Sequence, residues 1–205
     1  AVGAHTVKVY QQSRRDQRQW YIDACDELGM QCVAEGGGDL WMNLNMVSDG
    51  MHAIEHSLPV APLYADVRGW MAASKGELGR GSAYTPTLLV SYGGLSGENW
   101  FFQHMSPIDD ARLLRNFPRR SLDAHAWRWG MMANDGDWNH QEVARQAAKM
   151  AREDVLVTLG AHGQLQGLGA HWELWALAGP GAMTPMEAIR AATLSGATYL
   201  GLEQD

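Results

Sequence analysis

Cysteine is nearly missing from this chain: Cys25 and Cys32 are the only two in 205 residues, and they form neither a C-x-x-C pair nor a disulfide framework. They read as reduced thiols in a core. No apolar run is long enough to cross a membrane, and no charged-then-apolar segment opens the sequence. Positive charge is short as well. Against 23 Asp and Glu there are 16 Lys and Arg, and the net charge of −7 has the wrong sign for nucleic acid or an anionic membrane surface. Repeats and low-complexity tracts are absent, and no G-x-G-x-x-G follows the first apolar run, which weighs against a dinucleotide-binding open sheet. What remains is a chain with 46% hydrophobic and 19% charged residues, able to fill the core of one domain. Its two ends, at Ala1 and Asp205, lie close to a strand-like run and a helical pattern, so both read as cuts through a larger protein.

Short apolar runs alternate with helical patterns, the sign of βα units around a parallel sheet. "TVKVY" (6–10) is followed by a helical pattern over 14–29 that places Trp20, Ala24 and Leu28 on one face, with Gly29 as a stop. "QCVAE" (31–35) precedes a helix across 39–50, and "HAIEH" (52–56) precedes one around 62–75. "PTLLVSY" (86–92) and "VLVTL" (155–159) complete five expected strands, with an amphipathic helix over 140–154 between them. Residues 184–201 open with a Thr cap, Pro and Glu, a strong helix start. The stretch 93–138, rich in Trp, Phe, Pro and Gly, reads as a long irregular insertion or lid.

In α/β folds chemistry collects at the carboxyl ends of strands. Those ends carry Lys8, Glu35, His56, Tyr92 and, just beyond the last run, His162. Buried parallel strands are usually apolar throughout, so polar residues recurring at this one position point to a site. "HAIEH" also matches H-x-x-E-H, which as a helix would put His52 and His56 on one zinc beside Glu55. Between Gly50 and Pro59 a strand is expected instead, and a strand sends Glu55 to the other face.

These segments resemble the amidohydrolase superfamily of metal-dependent hydrolases, closest to its imidazolonepropionase- and prolidase-like branch and to the domains found behind β-propeller repeats. The resemblance rests on "VKVY" (7–10), "ELGMQCVAEG" (27–36), "DGMHAIEHSLPV" (49–60) and "VLVTLGAHG" (155–163). Most specific is "HWELWALAGPGAMTPMEAIRAATLSGATYLGLEQD" (171–205). It implies strands four to eight of a distorted (β/α)8 TIM-type barrel, the first units missing, with one or two divalent metals, zinc foremost, at its mouth. Lys8 falls where relatives carry a carbamylated lysine and His56 where they carry a histidine ligand. His171, Glu173 and Tyr92 fall near substrate.

The sequence departs from that pattern in three places. The first-strand His-x-His pair is absent, Glu35 stands where a histidine is usual, and His162 replaces the usual aspartate. Carboxylate and imidazole are both zinc ligands, so Lys8, Glu35, His56 and His162 are expected to hold the metal, with Glu35 or His162 as base. The expected reaction is hydrolysis of an amide, peptide, cyclic amide or ester bond in a small-molecule or peptide substrate. The alternative is an inactive scaffold that hides its strand edges by forming a homo-oligomer or by joining the rest of the barrel. Cytoplasmic and periplasmic or secreted locations both stay open. "GENWFFQHM" (97–105) and "HAWRWGMM" (125–132) are read as either an apolar wall over substrate or core filling, and "SRRDQRQW" (13–20) as a solvated face.

Overall fold

The computed structural model describes residues 3–74, 81–126, 132–162, 165–202 and 204. Four strands, β1 (Thr6–Tyr10), β2 (Gln31–Glu35), β3 (Ala53–Glu55) and β4 (Ala83–Thr85), lie side by side in chain order and all run parallel. The connections carry α1 (Arg15–Glu27), α2 (Leu40–Asp49) and α3 (Ala65–Ala73). Beyond β4 the described chain is largely helical: α4 (Gly97–His104), α5 (Ala111–Asn116), α6 (Arg119–Ala126), α7 (Asn139–Arg152), α8 (Leu168–Leu177), α9 (Pro185–Ala192) and α10 (Leu194–Leu200). The fold is α/β on an open parallel sheet. No helix among the described residues is long and apolar enough to cross a membrane.

Register decides which side chains share a face, since paired residues of parallel strands point the same way. Val9, Ala34, Ile54 and Tyr84 fall on the helix-covered face, in the main core. The opposite face carries Lys8, Val33, Ala53 and Ala83 and, one step further along, Tyr10, Glu35, Glu55 and Thr85. That second face is thinly covered, by Leu156 and by Tyr199 of α10. Local signals explain the helix ends. The Asp39 carboxylate accepts from the Trp41 and Met42 amides at the start of α2, and Gly50 closes it at φ 102°. Thr184 and Glu187 form the expected capping box on α9, with Pro185 in its first turn.

Three expectations fail here, each for a visible reason. "PTLLVSY" is not a strand: β4 ends at Thr85, Thr87 turns left-handed at φ 47°, and Leu88–Val90 form a 3-10 turn. The Leu88 and Leu89 amides go to the Glu173 carboxylate rather than to a ladder. "VLVTL" makes only a single parallel bridge, Val157 to Tyr84, and the Leu159 amide turns to the Ala191 carbonyl. The stretch 93–138 holds α4, α5, α6 and two 3-10 turns, and α4 drives Phe101 and Phe102 into the core. "HAWRWGMM" lies largely outside the described residues.

The buried face of α1 also differs from the expected one. Arg18, Ile22 and Cys25 point inward, while Trp20 and Leu28 are 63% and 73% exposed. Arg18 turns inward because the buried Asp49 carboxylate waits at 2.7 Å and the Gln12 and Ser13 carbonyls accept its remaining N–H bonds. The basic run is therefore only partly a solvated face. Cys25 and Cys32 are free, buried thiols as expected.

Candidate functional site at the carboxyl ends of the strands

β1, β2 and β3 all end at one rim of the sheet, and the rim carries unusual backbone. Gln11 follows β1 at φ 40°, His56 follows β3 at φ 70°, and Thr87 lies two residues past β4 at φ 47°. Left-handed backbone at residues with a Cβ costs about 1–3 kcal/mol each and persists where surrounding contacts over-determine it.

Those contacts are polar. The Lys8 ammonium stands 2.8 Å from Glu35 Oε2, with the Glu35 side chain buried and that of Lys8 half exposed. The Tyr92 hydroxyl donates to Glu35 Oε1 at 3.3 Å and accepts from Gln11 Nε2 at 2.9 Å. Burial first, and the Glu35 charge second, raise the Tyr92 phenol above its ordinary pKa, so it stays protonated. Tyr92 is itself pinned, because its amide donates to Ser57 Oγ at 2.7 Å and its carbonyl accepts from Asn139 Nδ2 at 3.2 Å.

The imidazoles complete the rim. His56 is 4% exposed and lies with its ring centroid 5.1 Å from that of Tyr92 and 5.3 Å from that of His162. His56 Nδ1 is 3.0 Å from the Val90 carbonyl oxygen. A carbonyl only accepts, so Nδ1 carries a proton and donates it there. His162 is exposed and reaches the rim because Gly160 lets its segment close on β4. A Cβ at Gly160 would sit 2.5 Å from Thr87 Oγ1 and 2.6 Å from Thr85 Cγ2.

Lys8, Glu35, Tyr92, His56 and His162 are thus linked by successive contacts. Lys8 lies in β1, Glu35 ends β2 and His56 follows β3, whereas Tyr92 and His162 lie on segments that form no strand. His171 and Glu173 do not join them at a substrate-facing wall. His171 is exposed on α8, its ring 6.3 Å from that of Trp175. Glu173 is fully buried, with its oxygens 2.6 and 3.0 Å from the Leu88 and Leu89 amides. Burial pushes its carboxyl up to about 8 against the pull of those two amides. Among the described residues no three His, Cys, Asp or Glu side chains are grouped closely enough to hold a metal ion. As it stands, Lys8 is the cation of the ion pair with Glu35.

Gln11 and Glu55 are missed by sequence reasoning. Glu55 is the register partner of Glu35, and its Oε1 accepts from Tyr199 Oη at 3.0 Å and Thr85 Oγ1 at 3.3 Å. The signal for Glu55 is there, since it ends a strand as Glu35 does. Gln11 has no signal beyond being the first residue after a strand. "HAIEH" is a strand over its middle residues, which removes the helical zinc-protease reading. A cleft of about 950 Å³ opens at the opposite end of the sheet, lined by Thr6, Gln31, His52, Ala83 and Tyr199. Lys8, Glu35, His56, Tyr92 and His162 do not line it. No family model matches the chain, and no curated protein matches it either.

Proposed function

We propose that this chain is part of an amidohydrolase-type (β/α)8 barrel, and that its rim hydrolyses a C–N bond of an amide, peptide or cyclic amide, or an ester, with a divalent metal, zinc foremost. The observation that carries the proposal is the pair His56 and His162, brought ring to ring by segments far apart in sequence. The Val90 carbonyl orients the His56 ring, the backbone contact that metal-ligating histidines commonly make through their second nitrogen. His56 and His162 would supply imidazole donors to a zinc-type ion and Glu35 a carboxylate, although the three do not stand close enough together here to form a ready ligand group. When bound, the metal would lower the pKa of its water and polarise the scissile carbonyl.

The chain's own residues do the rest. Glu35 takes the proton of the attacking water, with the Lys8 ammonium paired to it at 2.8 Å. Tyr92, kept protonated and held by Gln11, donates its one hydroxyl proton to Glu35 Oε1 and so fixes the direction of that carboxylate. The test is elemental analysis of the purified chain after zinc loading, beside H56A and H162A. Stoichiometric zinc in the parent chain and its loss in both variants is the expected result; a parent chain without bound metal ends the proposal.

A second reading is an inactive scaffold completed by association, as a homo-oligomer or with further barrel units. It is favoured by the unpaired outer edge of β1 and by the lack of a three-ligand group among the described residues. A stable oligomer that binds no zinc and cleaves no amide or ester would establish it.

A further inference from the structure

We infer that Glu173 is a positioning residue for the rim: through the turn Leu88–Val90 it fixes which nitrogen of His56 carries the proton. This rests on the reading of His56 as a metal ligand, and it follows from a chain of contacts. The Glu173 carboxylate is the acceptor for two successive amides, Leu88 at 2.6 Å and Leu89 at 3.0 Å. Those amides have no strand to bond to, because Thr87 has turned the backbone left-handed just before them. The turn they open ends in Val90, whose carbonyl takes the His56 Nδ1 proton at 3.0 Å. Val90 thus aims its carbonyl from a three-residue turn whose first two amides are held by one side chain.

The carboxylate is an expensive choice for this place. Glu173 is 0% exposed, and among the described residues no cation is paired with it. Burying a carboxylate without a cation is costly, and a structural plug for the α8 interface would be cheaper as Leu or Met. What a Glu carboxyl provides, and neither Gln nor an apolar side chain can, is two oxygens that both carry lone pairs, one for each amide, whether or not the group holds a proton. Gln offers one acceptor and turns its NH2 against the second amide.

The experiment is nitrogen–proton correlation spectroscopy of the histidine rings in the metal-free chain. In the parent, His56 is expected as a single tautomer protonated on Nδ1. E173Q is expected to give a mixture of both tautomers, and E173D, which keeps two acceptors, to restore the parent pattern at least in part. Leu177→Val, a change in the same helix at a buried residue that takes no part in the turn, should leave the His56 signal alone. Zinc affinity of E173Q is expected to fall by about 10- to 100-fold, the usual effect of removing an orienting partner. An E173Q chain with unchanged His56 tautomer overturns the inference. Should E173Q not fold, couplings across the hydrogen bonds from the Leu88 and Leu89 nitrogens to the Glu173 carboxyl carbon are read in the parent chain, and their absence overturns it equally. Because the tautomer is read without metal, failure of zinc to bind the parent sinks the hydrolase proposal separately.

Discussion

Glu35 is held on both of its oxygens: its side chain is buried, the Lys8 ammonium stands on Oε2, and the Tyr92 hydroxyl donates to Oε1. Replacing it with Gln keeps the shape and removes the charge. On the hydrolase proposal, E35Q should lower kcat for amide hydrolysis by about 100-fold or more, with little change in thermal midpoint. Equal losses in activity and folding would instead mark Glu35 as structural.

Two other buried groups set how stability depends on pH. Glu173 has its carboxyl raised from 4.5 to about 8, so the folded chain keeps a proton that the unfolded chain has lost. Its contribution is full below 4.5 and is lost as pH rises towards 8. His140 is the reverse: burial lowers its pKa from 6.5 to about 4, so the unfolded chain binds a proton that the folded one refuses. Its penalty grows as pH falls from 6.5 to 4. The two oppose each other in the acid range, and above 6.5 only Glu173 acts. Denaturant unfolding at several pH values should show stability falling between pH 6.5 and 8 by up to about 1.4 kcal/mol per unit. The same slope should be absent in E173Q, and a slope that survives there refutes the assignment.

At the scale of elements, the sequence is legible where a strand's neighbours come from the chain just before and after it. "QCVAE" is β2 with the expected bounds, because β1 and β3 flank it and both of its faces are covered. "PTLLVSY" is as apolar as a strand, yet its fate depends on Glu173, far along the chain, taking the amides a ladder would have used. "VLVTL" has a neighbour on one side only, and a single bridge results. The site follows the same division. Lys8, Glu35 and His56 were readable from strand ends, whereas the role of Glu173 and the support from Gln11 depend on contacts that no periodicity reports. Gly160 belongs to this scale, since it governs how closely the segment carrying His162 approaches β4. Gly160→Ala puts a methyl within 2.6 Å of both Thr85 and Thr87 and should cost about 1–3 kcal/mol. Calorimetry should find its zinc affinity lowered with it; wild-type affinity in a destabilised G160A would separate His162 from the site.

For the whole molecule the decisive property is that the sheet is open. Among the described residues β1 has one neighbour, β2, and the Gln31 amide bonds to the His5 carbonyl, so His5, Val7 and Val9 face β2. Thr6, Lys8 and Tyr10 present their backbone groups outward. Such an edge is a template for pairing with another chain. Sedimentation should therefore show association that rises with protein concentration. Thr6→Pro removes one outward N–H without touching the β2 ladder and should weaken it. A parent chain that stays monomeric at high concentration excludes pairing through this edge.

The left-handed residues at the rim also leave a signature in what substitutions the chain tolerates. At most positions glycine is the disruptive choice, and along strands valine and isoleucine are the safe ones. At 11, 56 and 87 the order inverts, because the backbone there suits Gly, Asn and Asp and penalises a branched Cβ. In a saturation library selected for folding alone, Gly and Asn should be enriched over Val and Ile at these three positions. At Val9, Ile54 and Tyr84, a few residues away on the covered face of the sheet, the preference should run the other way. Selection for folding alone would then let His56 drift to residues that relax the backbone, and on the hydrolase proposal only selection for that activity would hold the imidazole in place.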